Sequence, residues 1–180
     1  MRYALLNSNN VLMSIVEADD ERELPPPQPE HWWSASCVVL PDHDPRTQVL
    51  RGPEDVLVEQ PDGSSVFEQR FTIHARQLDD VQAEVVAAIK AEAARRILAI
   101  APEWKQRNVT ARAAELALQH PGTRGEDLPE PERTEWREGQ ALWDRIKAVR
   151  SASNAAEEAA RAAGTAGEAW AALDAFSASS

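Results

Sequence analysis

Hydrophobic residues follow two different spacings along this chain, and the change comes at Asp79-Asp80. Ahead of it the apolar residues fall in short β-favouring runs. Residues 2–6 and 11–17 flank Asn7-Ser8-Asn9-Asn10, and asparagine tolerates the left-handed backbone, so the tetrad predicts a hairpin turn. Leu24-Pro25-Pro26-Pro27-Gln28-Pro29 has four prolines in five positions, which predicts an extended segment outside any sheet interior. Residues 36–40 and 47–51 predict two more strands, separated by Pro41-Asp42-His43-Asp44-Pro45. A last hairpin is expected from Val56-Leu57-Val58 through Pro61-Asp62-Gly63 into residues 66–76. There Phe67, Phe71, Ile73 and Ala75 share one face, while Arg70, His74 and Arg76 share the other.

Beyond Asp80 the spacing becomes helical. Val81, Val85, Ile89, Ala93, Ile97 and Ile100 form a stripe, and Asp79 with Gln82 reads as a capping-box variant at its start. Pro102 suits the first turn of a second helix over 103–119, which His120-Pro121-Gly122 stops. Val109, Ala113 and Leu116 lie on one side of that helix, with Trp104 and Leu118 nearly opposite, a pattern that predicts cover on two sides. A third helix is expected over about 132–163, with Trp136, Gly139, Leu142, Trp143, Ile146 and Val149 in a stripe. Past Ser151 it turns to Ala, Ser and Glu, composition suited to helix and to close packing or a partner. Thr165 and Glu168 form a capping box for a short terminal helix carrying Trp170, Leu173 and Phe176. The expected fold class is α+β: a small N-terminal β-rich unit, residues 1–78, followed by a C-terminal helical bundle, residues 79–180.

Composition limits how much these units can bury. Of the apolar 43% of 180 residues, 31 residues are alanine, which leaves 46 side chains able to build a core. That supports one modest core or two thin ones, and leaves room for partner surfaces to complete the burial. Trp170, Leu173 and Phe176 have no obvious intrachain sink, so the chain is expected in an oligomer or a larger assembly, unless the terminal helix folds back on Trp136 and Trp143. No apolar run approaches the ~18 residues of a membrane span, and no membrane partner is expected. The first residues are too short an apolar run for a signal peptide.

The net charge of −11 is concentrated early: residues 1–80 hold 6 Lys/Arg against 15 Asp/Glu, and residues 81–180 hold 13 against 15. Such an acidic first half disfavours nucleic acid as a partner. Catalytic chemistry finds no candidate. The four histidines lie in four segments without ligand spacing, Asp42-His43-Asp44 reads as a polar turn, and no phosphate loop or nucleophile elbow occurs. Cys37, inside a β-favouring run, reads as a small buried hydrophobe. The expectation is a non-enzymatic protein without cofactor or metal.

What remains are interface candidates. There are six tryptophans, and adjacent Trp32 and Trp33 in a strand would point to opposite faces, leaving one available as an anchor. Between residues 90 and 112 six cations face only Glu92 and Glu103. That segment reads as a helix–helix corner in which Trp104 packs back on the first helix and Arg107 and Asn108 bond loop carbonyls, or as a partner contact made by Trp104, Lys105, Arg107 and Asn108.

Ala101-Pro102-Glu103-Trp104-Lys105-Gln106-Arg107-Asn108-Val109-Thr110-Ala111-Arg112, followed by Glu135-Trp136 and Ala141-Leu142-Trp143-Asp144-Arg145-Ile146-Lys147-Ala148-Val149-Arg150-Ser151-Ala152-Ser153, resembles a family of tailed-bacteriophage tail and tail-fibre-associated proteins. Met1-Arg2-Tyr3-Ala4-Leu5-Leu6-Asn7, with Val16-Glu17-Ala18-Asp19, is similar to the opening of tail-fibre assembly proteins. The resemblance implies a structural protein linking or decorating the tail, tail fibre or baseplate, with an assembly chaperone as the alternative. It also implies tail, fibre or baseplate proteins as partners, a homo-oligomer with a trimer favoured, and a place in the virion tail after synthesis in the host cytoplasm.

Overall fold

The computed structural model describes residues 1–27 and 29–179, so Gln28 of the proline segment lies outside the described residues. The fold is α+β: a five-stranded sheet precedes four helices. The chain forms two compact units, residues 1–76 and 77–180.

In the first unit β1 (Arg2–Asn7) and β2 (Leu12–Glu17) form the expected antiparallel hairpin. Its turn is held by asparagine chemistry: Asn10 takes a φ of 59°, and the Asn7 side-chain oxygen accepts from the Asn9 and Val11 amides, each at 3.0 Å. The third strand, β3 (His31–Val39), starts five residues earlier than the β-favouring run suggests, because its first half pairs antiparallel with β1. The two segments expected at 47–51 and 56–58 are one strand, β4 (Gln48–Glu59), which pairs antiparallel with β5 (Ser65–Ala75). A register shift between Arg51 and Glu54 absorbs Gly52-Pro53. Gly52 has a φ of +129°, and a Cβ there would sit 2.9 Å from the Arg70 carbonyl, so only glycine fits. The order is β2-β1-β3-β5-β4, with β3 and β5 parallel, and proline stands on an edge strand as its missing N–H requires.

The core of the sheet is small: Ala4, Leu6 and Phe67, with Leu12, Trp32 and Leu57 packed against them. The apolar face expected along β5 is buried only in part. Phe67 is buried and Phe71 half-buried, but Ile73 and Ala75 are exposed. The cause is pairing length: β3 follows β5 no further than Arg70, and the β4–β5 ribbon continues alone.

The second unit contains α1 (Leu78–Ile100), α2 (Glu103–Gln119), α3 (Glu132–Ala162) and α4 (Ala166–Ala178). Val81, Val85, Ile89 and Ala93 of the α1 stripe are buried against Ala160 of α3 and Ala169 and Phe176 of α4. Three helices therefore close around alanine-sized contacts, and this close approach is what lets so few large side chains fill a core. The capping box expected at Asp79 and Gln82 does not form. Gln82 instead donates to the carbonyls of Arg161 and Ala163, each at 3.0 Å, satisfying the C-terminal end of α3. Thr165 does cap α4, accepting from the Glu168 amide at 3.2 Å, while the Glu168 carboxylate reaches one residue further back to the Gly164 amide at 2.8 Å.

Polar groups complete the closure. Glu157 is buried on α3, within 2.7 Å of Arg161 and 3.7 Å of Lys90 on α1. Arg96 of α1 donates to the carbonyls of Phe176 and Ser177, each at 2.9 Å, and lies 4.4 Å over the Phe176 ring. Glu92 holds that guanidinium at 2.8 Å and Arg95 at 2.6 Å. Hydrogen bonds from Arg95 and then Arg96 hold the Glu92 carboxyl down at about 2, against an ordinary value of 4.5.

Two outcomes follow from this packing. A folded-state value below the unfolded one stabilises the fold above the unfolded value and is lost as pH falls toward the folded value. Glu92→Gln should thus lower the melting temperature at neutral pH, and the gap to wild type should close between pH 4.5 and about 2. A gap that stays constant across that window would contradict the linkage. Ala160→Leu should destabilise the helical unit by about 1–3 kcal/mol through overpacking, measured by chemical denaturation.

Candidate functional site

α2 stands apart from the three-helix core. Leu116 is its one buried residue, and it rests on the N-terminal half of α3 rather than on α1 and α4. Its start is set by Pro102 and by Gln106, whose side-chain amide donates to the Ala101 carbonyl at 2.8 Å. Arg107 and Asn108 do not fill the loop-bonding role expected of them. Arg107 pairs with Glu103 one turn back at 2.8 Å.

Between α2 and α3 lies an open cavity of about 410 Å³, within the range of small-molecule and peptide clefts. Val109, Ala113 and Leu116 form its α2 wall, and Trp136, Gly139, Leu142 and Trp143 form its α3 wall. Gly139 lets the helices approach, since a Cβ there would lie 3.1 Å from Val109. Gly125, in the turn over Gly125–Asp127, lets that turn lie against Trp136, because a Cβ there would overlap the indole ring. The rim is ionic: Arg112 on α2 meets Glu135 on α3 at 2.8 Å, and Lys105, Asn108 and Glu138 border the opening. At the closed end of the helix pair, His120 Nε2 lies 2.7 Å from Glu132 Oε2.

The sequence-predicted interface residues fall into three groups. Trp32 packs on the sheet core, and Trp33 donates its indole N–H to the Pro25 carbonyl at 2.9 Å, so both of the adjacent tryptophans are engaged within the chain. Trp170, Leu173 and Phe176 pack on the α1–α3 core, with Phe176 buried. They do have an intrachain sink, though it is not the expected Trp136 and Trp143. Trp104, Lys105, Arg107 and Asn108 alone remain at the surface. Trp104 does not pack back on α1; it is 64% exposed, and Leu118 on the same side of α2 is 82% exposed.

Other candidate chemistry is also placed. Cys37 is exposed, not buried as its β-favouring run suggests, because Ser36 is the partner of buried Phe67 and Cys37 therefore falls on the opposite face of the sheet. Asp44 serves its own turn, accepting from the Arg46 amide at 2.9 Å and the Thr47 hydroxyl at 3.0 Å. Among the described residues no group of three His, Cys, Asp or Glu side chains could hold a metal ion, and no helix is long and apolar enough to cross a membrane. The cavity itself escaped the sequence reading; the signal for it was the two-sided pattern of α2 together with Gly139 between two tryptophans. No family model, curated protein or solved structure matches the chain.

Because Trp104 stands in solvent, Trp104→Ala should shift the stability of the isolated protein by no more than about 0.5 kcal/mol, as surface substitutions do. A loss of the 3–5 kcal/mol typical of a buried aromatic would place the ring in a core instead. Urea titration of the variant distinguishes the two.

Proposed function

We propose that this chain is a non-enzymatic structural protein of a bacteriophage tail, joining or decorating the tail, tail fibre or baseplate. The reading starts from the resemblance of residues 101–112 and 135–153 to tail-associated proteins. One observation carries it beyond resemblance: within the first segment, Trp104 is held in solvent on a helix whose one buried residue, Leu116, lies on another side. Exposed tryptophan is the kind of anchor that protein interfaces use. The first segment and residues 135–143 of the second also meet along the α2–α3 pair and line its cavity, while Ile146 and Ser153 further along are buried.

Such a protein works by docking, and its partners are other tail proteins. The test is composition of purified virions. A fixed number of copies per particle supports the structural reading. Absence from virions, with the chain bound to fibre protein in infected-cell lysates, supports the assembly-chaperone alternative and overturns the structural one.

A further inference from the structure

The exposed side of α2 has a pattern of its own. Trp104, Ala111 and Leu118 stand seven residues apart, within about 40° of each other at 100° per residue, and all three are exposed. Arg107 and Glu115 flank Ala111 at four residues on either side. This arrangement is complementary to itself when reversed. If two α2 helices run antiparallel about Ala111, Trp104 of each meets Leu118 of the other, and the two Ala111 side chains meet at the centre. Arg107 of each then shares a level with Glu115 of the other.

We propose that α2 is an isologous docking surface for a second copy of this chain, pairing antiparallel about Ala111. Size and charge both fit: large residues face large ones at the two ends, the smallest lies on the two-fold axis, and each seam layer that carries a charge carries its opposite. The alanine at the centre permits a close interaxial distance of roughly 8 Å. Present partners do not oppose the exchange. Arg107–Glu103 and Arg112–Glu115 are exposed pairs, which are worth little in water. The apolar α2 wall of the cavity, Val109, Ala113 and Leu116, lies on the other side of the helix from this stripe. A two-fold axis differs from the three-fold symmetry that the tail resemblance implies, and the pairing uses the same Trp104 face as the tail reading, so it is tested on the pure chain without virion components.

The helix pair is short, so the interface belongs at the small end of specific interfaces and calls for sedimentation equilibrium of the full chain up to about 100 μM. The expected result is a reversible dimer of the 19.9 kDa chain. Leu118→Glu and Trp104→Glu should each weaken it about tenfold or more by burying an unpaired charge. Arg107→Glu should also weaken it, and adding Glu115→Arg should restore it. In a Cys37→Ser background, which removes the exposed thiol, Ala111→Cys should form an interchain disulfide on mild oxidation. Circular dichroism confirms that each variant is folded. A monomer at every concentration, a trimer, a dimer indifferent to Leu118→Glu, or a charge reversal no better than its single substitution overturns the proposal.

Discussion

The helical unit depends on one closure: α4 must lie close against α1 and α3, although few of its side chains are large. Alanines at 93, 160 and 169 let the helices approach, and close approach brings the end of α4 within reach of Arg96. That guanidinium then serves the Phe176 ring and the helix-end carbonyls of Phe176 and Ser177 together. Its own orientation is fixed by Glu92. Apolar area is scarce here, so direction comes from short charged contacts laid over a small-residue seam. Removing the seam would separate the charges, and removing the charges would leave the seam with little to align it.

α2 sits outside that closure, which explains its surface. A helix anchored by one buried leucine and a handful of groove contacts is left with most of its circumference free. Large apolar residues on such a face have no folding role in the monomer, and Trp104 and Leu118 are of that kind. The contrast with Trp170 and Phe176 is informative: those residues carry comparable apolar bulk, but they belong to a helix that completes the core.

Much of the helical half was legible in the chain because strong local signals coincide. Pro102 and His120-Pro121-Gly122 bound α2 at the residues found, and the Val81–Ile89 spacing marks the buried side of α1. Thr165 announces its cap. What the residues do not reveal is pairing between distant elements. Gln82 is a reasonable capping residue locally, yet its amide serves carbonyls some eighty positions away. Gly52-Pro53 looks like the end of a strand, and only the adjacent β5 shows that the strand resumes in a shifted register. The parallel neighbours β3 and β5, the exposure of Ile73 beyond their overlap, and the face that their register gives to Cys37 are likewise set by topology. At the candidate site, the two-sided pattern of α2 was visible, but which side would find cover was decided by α3.

The length of α3 has a consequence for how the unit opens. At 31 residues it spans about 46 Å, and its two halves answer to different neighbours: the first to α2 and the Gly125–Asp127 turn, the second to α1 and α4. One continuous helix thus runs through two levels of local stability. Detaching α2 together with the Gly125–Asp127 turn strips the first half of its packing while leaving the second half enclosed. Amide hydrogens should therefore exchange quickly near Trp136 and slowly near Ala160, graded along a single unbroken ladder of backbone hydrogen bonds. The enclosed end acts as a standing helical nucleus, from which the outer turns can be rebuilt each time α2 returns, without the initiation cost a free helix would face.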